Sequence, residues 1–182
     1  SSPNLIENSR MLKKFKGKCV VVPFGLGPDF FHVSDKIFHQ AQEIKNKFGQ
    51  PLVLTIGRLT NYKGFEYLIE ASRKVEAKFL LIGSGALREK FLHLIRRWHL
   101  EDKFFIIPSV SDLLPYYYAC DVFVLPSIKK SEAFGIVLLE AMACGKPIIS
   151  TELGTGTSFI NQDKKTGFVV EPRSASALAK AL

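Results

Sequence analysis

Cysteine is scarce in this chain of 182 residues, and several other features are missing with it. Cys19, Cys120 and Cys144 form an odd set without paired spacing. That excludes a disulfide-framed secreted fold and fits reduced, buried thiols in a cytosolic protein. His32, His39, His93 and His99 lack metal-ligand spacing, so no zinc site is expected. No apolar run approaches the roughly 18 residues that span a bilayer, and no stretch reads as a secretory leader. Asp-x-Asp occurs nowhere. The dinucleotide fingerprint G-x-G-x-x-G is also missing, because Arg88 stands where its third glycine would be in "GSGALR", and there is no Walker loop. Internal repeats and low-complexity tracts are absent.

What is present suits one globular domain with a real core: 47% of residues are hydrophobic and 23% charged. The formal net charge of +8 favours anionic partners without choosing among phosphate, nucleic acid and membrane. Strand-like apolar runs alternate with helical ones. "PLVLTIG" (residues 51–57) reads as a buried strand, and "GFEYLIEASRKV" as a helix with Phe65, Leu68, Ile69 and Val75 on one side. Then follow "KFLLIG", the helix "ALREKFLHLIRRW", "FFII", the short helix "DLLPYYYAC", "DVFVLPS", a helix from Phe134-Gly135-Ile136-Val137, "PIIST" and a last strand near "GFVV". Such βαβα alternation with continuous apolar strands predicts an α/β fold, a parallel sheet covered by helices on both faces. Earlier in the chain, "CVVVPFGLGPDFF" reads as a strand and a glycine-rich turn. Residues 5–18 carry Arg10, Lys13, Lys14, Lys16 and Lys18 among Leu12 and Phe15, as a solvated helix face or a basic amphipathic helix for a membrane surface. "SASALAKAL" reads as a serine-capped helix, and both ends look cut from a longer chain.

Ligands of open parallel sheets sit beyond the carboxyl ends of the strands, and three of those ends are unusual here. After "LVLTIG" come Arg58 and Lys63, just ahead of a helix. A lysine there opposes the helix dipole unless an anion is shared with the first amides; two ordinary surface cations are the alternative. After "FLLI", Gly83-Ser84-Gly85 either lets backbone approach a ligand or makes a plain tight turn. The third end follows "DVFVLPS". Glu132 lies in a loop, Gly135 marks the helix start, and Glu140 follows one to two turns inside, with Ile136, Val137, Ala143 and Cys144 as its helical neighbours. That helix has no polar face, so it is expected to be buried. An ionised carboxylate in it needs partners: a pair of ligand hydroxyls, or a structural salt bridge.

Taken together, "GRL" with the lysine-glycine that follows, the Glu-x7-Glu of "EAFGIVLLE" and "EAMACGKPII" resemble the nucleotide-sugar-binding half of retaining GT-B glycosyltransferases of the family 4 type, from "VVVPFG" to "TGFVV". The resemblance implies a Rossmann-like domain, one half of a GT-B fold. Residues 1–18 would be the tail of an N-terminal acceptor domain and the hinge, and 19–182 the donor-binding domain with its last helix truncated. It implies that Arg58 and Lys63 hold the donor diphosphate and offset charge on the leaving nucleotide, in place of a metal. Glu140 would accept hydrogen bonds from the ribose hydroxyls, and Glu132 would hold hydroxyls of the transferred sugar, whether or not it acts as nucleophile. Amides of Phe134, Gly135, Ile136 and Val137 would meet sugar and phosphate, and backbone near Val110 would border the base. No cofactor is implied beyond the nucleotide-sugar substrate. The acceptor would be a glycan or lipid-linked molecule, with mannosyl transfer as one candidate, and nucleic acid is not expected as a partner. The place of action would be cytoplasmic, with a peripheral position at the inner membrane face as the further option. The stretch "ELGTGTSFINQ" departs from the family, with Gly154 and Gly156 but no expected carboxylate in the turn. Pro108-Ser109 replaces a commoner glycine near the base. A sugar-nucleotide epimerase of the same shape and a non-catalytic binding module are the competing readings.

Overall fold

The computed structural model describes residues 2–27 and 34–182. Six strands, β1 (Leu52–Ile56), β2 (Lys78–Ile82), β3 (Phe104–Ile107), β4 (Val122–Leu125), β5 (Ile148–Thr151) and β6 (Gly167–Val170), make one sheet in the order β3-β2-β1-β4-β5-β6. Every pairing is parallel. Central strands β1 and β5 are buried along their whole length, while the edges β3 and β6 are only partly covered. That is why the central runs are mostly apolar and show no alternation, their polar positions being the small hydroxyl residues Thr55, Ser150 and Thr151.

Alternate residues feed two cores. Leu52, Leu54 and Ile56 of β1 pack with Phe123, Leu125 and Ile148 against α2 (Asp35–Phe48), α5 (Leu114–Ala119) and α6 (Ile136–Ala143). Val53 packs with Phe79, Leu81, Val124 and Ile149 against α3 (Phe65–Ser72), α4 (Arg88–Arg97) and α8 (Ala175–Ala181). Ser174 caps α8, accepting from the Ala177 amide at 3.1 Å. A shorter helix, α7 (Gly156–Ile160), follows β5, and α1 (Pro3–Asn8) packs on it.

Several expectations need correcting. The basic stretch 5–18 is not one helix: α1 ends at Ser9, whose Oγ accepts from the Leu12 amide at 3.3 Å and so starts a separate 3-10 segment, Leu12–Lys18. Residues 19–27 form no strand and belong to none of the sheet's pairings, with Val20 and Val22 exposed; the rest of the expected glycine-rich turn, residues 28–31, lies outside the described residues. Helix α3 stops at Ser72, whose hydroxyl turns back to the Ile69 carbonyl at 2.8 Å, so Val75 packs from a turn. Finally, α6 is only half sunk: Leu138 and Ala141 are buried, whereas Ile136 is 44% exposed.

The chain runs outward from β1 through β2 to the edge at β3, then returns to place β4 on the other side of β1. The crevice at that reversal is where an open α/β sheet binds its ligand. The loops after β1 and β4 meet there.

Candidate functional site

The loop after β1 is held from two sides. Leu59, fully buried, donates its amide to the Ser84 carbonyl at 3.0 Å, and Leu87 donates to the Leu59 carbonyl at 3.2 Å. Gly83 and Gly85 are glycines for this reason. A Cβ on Gly83 would collide with the Gly57 carbonyl, and one on Gly85 would lie 2.7 Å from the Leu59 carbonyl. The Gly-Ser-Gly stretch thus makes room for neighbouring backbone. On the other side, the Ile128 amide donates to the Tyr62 carbonyl at 2.8 Å, stitching this loop to the one after β4.

These constraints leave Arg58 exposed, and its guanidinium makes no hydrogen bond or ion pair with the described residues. Lys63 behaves differently. It is only 8% exposed, its stem lies against Gly57, and its Nζ donates to Oε2 of Glu132 at 2.5 Å. Ser127, fully buried at the carboxyl end of β4, donates to the same oxygen at 2.9 Å. Thr155 Oγ1 donates to the Glu132 carbonyl at 2.7 Å, and the Gly156 amide to the Ala133 carbonyl at 2.8 Å. Lys63 and Glu132, expected on separate parts of a ligand, are therefore one buried ion pair in a fixed frame. Burial of this kind is tolerated only when both charges are paired and hydrogen-bonded.

Gly135 precedes α6 with φ +82°, a left-handed conformation that glycine adopts without strain. It aims the chain so that the first turn of α6 opens at the crevice. Among the described residues, the amides of Phe134, Gly135, Ile136 and Val137 donate to nothing. Glu140 is half-buried one turn in, and its Oε2 accepts from the Tyr117 hydroxyl at 2.6 Å. Neither a lysine nor an arginine pairs with it among the described residues. In both glutamates, then, Oε2 is held by the protein. In both, Oε1 makes no hydrogen bond with the described residues and is not buried; among those residues the buried side-chain oxygens without partners are Thr55 Oγ1 and Glu66 Oε2.

The loops after β2 and β3 place serine hydroxyls beside the crevice. Ser84 and Ser109 meet at 3.4 Å, both exposed. Val110 is half-buried beside a cleft of about 270 Å³ that it shares with Gln40, Ile44 and Tyr116. The turn after β5 does contain a carboxylate, contrary to expectation. Glu152 reaches into it, accepting from the Gly154 amide at 2.6 Å and from Ser158 Oγ at 2.5 Å. No group of three or more His, Cys, Asp or Glu residues able to hold a metal occurs among the described residues. Sequence reasoning missed Ser127, Thr155 and Tyr117. Only Ser127 left a trace, as a hydroxyl residue closing a buried strand.

Residues 36–182 match the family described as Glycosyl transferases group 1. The chain belongs to that family. It is 36% identical over 184 residues to O-antigen chain mannosyltransferase C of Escherichia coli, covering 100% of this chain and 48% of the relative. To D-rhamnosyltransferase WbpZ of Pseudomonas aeruginosa it is 33% identical over 193 residues, again covering 100% of this chain and 48% of the relative. The crystal structure of Anabaena HepE in complex with UDP superposes with a TM-score of 0.76 at 26% identity, covering 86% of this chain and 44% of that one. The fold is thus one Rossmann-like half of a GT-B glycosyltransferase, and the chain spans about half the length of the curated relatives it matches. Among the described residues, no helix of this family member is long and apolar enough to cross a membrane.

Proposed function

We propose that residues 19–182 are the donor-binding half of a retaining, metal-independent glycosyltransferase, and that residues 1–18 belong to the crossing from an acceptor-binding half. The observation that carries this is the matched pair of glutamates at the crevice, each with one oxygen fixed by the protein and one open. Two adjacent ligand hydroxyl sets, ribose and sugar, fit such a pair. Between them, exposed Arg58 and the unused amides at the start of α6 suit a diphosphate.

In the proposed reaction the C1–O bond to the nucleoside diphosphate breaks, and a C1–O bond to an acceptor hydroxyl forms on the same face. The acceptor proton passes to the departing phosphate oxygen. Arg58 and the α6 amides offset negative charge developing on that phosphate. Lys63 acts chiefly through Glu132, fixing the carboxylate that holds the sugar. The names of the two relatives support mannose or a related deoxy sugar as donor, with a glycan or lipid-linked acceptor. A cytoplasmic site of action, peripheral to the membrane, fits such acceptors.

Calorimetric titration of the chain with UDP, GDP and ADP, in EDTA and in magnesium, tests this. One diphosphate should bind equally well in both buffers, and Arg58→Ala should weaken it by about 1.5–3 kcal/mol, the range for charged hydrogen bonds. The chain alone should transfer no sugar, because the acceptor must be held in line with the donor. Absence of binding, a magnesium requirement or robust transfer would each contradict the proposal.

A further inference from the structure

Among the described residues Tyr117 is the largest fully buried side chain, yet its hydroxyl ends at the crevice on Glu140. It reaches there from α5, through the core that packs α5 and α6 on the sheet. Phe123 of β4 flanks its ring at 5.6 Å. The same hydroxyl lies 3.4 Å from the Val137 carbonyl, but its single proton belongs to the shorter contact, 2.6 Å to Oε2 of Glu140. Burial, and the charge of Glu140, push the phenol well above its ordinary range, so it remains a donor at any working pH.

We infer that Tyr117 is a positioning residue that presets the Glu140 carboxylate, occupying Oε2 so that Oε1 alone is offered to ligand hydroxyls. A free glutamate side chain is rotamer-rich, and ordering it on binding costs free energy. Here the ordering is done on folding, by a ring that cannot move because it is packed on all sides. Preset acceptors also discriminate more sharply between a ligand that has the hydroxyl and one that lacks it. The inference rests on the reading of Glu140 as the ribose acceptor, and its test keeps the two separable.

The diphosphate among UDP, GDP and ADP that binds most tightly is titrated alongside its 2′-deoxy and 3′-deoxy forms, against the unaltered chain, Glu140→Gln, Tyr117→Phe and the double variant. The unaltered chain should favour the ribose form over at least one deoxy form, and Glu140→Gln should lose that preference. Tyr117→Phe should bind the ribose form about three- to tenfold more weakly, the weight of one net hydrogen bond, and leave the deoxy form nearly unchanged. The double variant should be no worse than Glu140→Gln. Should Tyr117→Phe unfold, 4-aminophenylalanine at position 117 keeps a donor there and should retain most of the preference. A ribose preference that Glu140→Gln abolishes but Tyr117→Phe leaves intact overturns the inference alone. So does an equal loss for ribose and deoxy forms in Tyr117→Phe, which marks a merely structural role. If no diphosphate binds, or Glu140→Gln changes nothing, the donor-site reading fails and takes the inference with it.

Discussion

The two glutamates of the crevice stand eight positions apart in sequence, yet their surroundings are built on opposite principles. Around Glu132 the chain uses charge. A buried lysine, a buried serine and a threonine fix its side chain and backbone, with partners drawn from the loops after β1, β4 and β5. Around Glu140 it uses neutral weak acids. Tyr117 donates to the carboxylate, and Cys120 and Cys144 lie in the same core. Both arrangements hold their carboxylate in place, but breaking the first strands a buried charge, whereas losing the neutral donor of the second strands none. On the proposed roles, an acid that holds a reacting sugar gains from the first, and an acid that grips a ribose needs only the second.

The largest effect that sharpens this contrast is on stability. Glu132→Ala leaves the Lys63 ammonium buried without a counter-charge and should cost about 3–5 kcal/mol in urea unfolding. Tyr117→Phe should cost only about 1 kcal/mol. Lys63→Met combined with Glu132→Leu should recover most of the loss, since replacing a buried pair by apolar groups is often near neutral. A Glu132→Ala chain that unfolds no more easily than Tyr117→Phe would remove the distinction.

A somewhat smaller effect concerns the neutral side. Burial pushes the Cys120 thiol up to about 12 and the Cys144 thiol up to about 11. Unfolding returns both to ordinary values near 8.5. A folded pKa raised above the unfolded one contributes stability that is complete below the unfolded value and lost as pH climbs toward the folded one. Melting temperature should therefore hold to about pH 8.5 and fall beyond it, as the unfolding free energy drops. Replacing both cysteines by alanine should make the alkaline fall shallower; an unchanged slope would show that the thiols are not responsible.

Much of this was legible in the sequence, and the physics says why. All six strands announced themselves because a parallel sheet with helices on both faces draws on short, mostly apolar runs. The crevice was legible because strand ends, a glycine before α6 and two misplaced acids follow local rules. What sequence could not show is who holds the acids. Lys63 and Glu132 are separated by 69 positions, and Tyr117 and Glu140 by 23, and no periodicity connects them. Gly83 and Gly85 look like ligand-facing glycines until the loop after β1 is seen lying on them. The break at Ser9 escaped notice because a serine in a basic, helix-compatible run can either continue a helix or cap the next turn. The carboxylate of the turn after β5 was missed although Glu152 stands at its first position; only the fold shows that its side chain bends back onto Gly154 and Ser158.

The assignment of the two acids is tested most directly by titrating Glu140→Gln and Glu132→Gln with a bare nucleoside diphosphate and with its sugar conjugate. Glutamine keeps the shape and an acceptor in both places, but at position 132 it also leaves the buried Lys63 ammonium without its counter-charge, so both variants are first checked for folding by thermal melting. Ribose is common to the two ligands, so Glu140→Gln should weaken both by roughly 1–3 kcal/mol. Glu132→Gln should spare the bare diphosphate and weaken only the conjugate. The reverse pattern, with Glu132→Gln crippling the bare diphosphate and Glu140→Gln sparing it, would contradict the account.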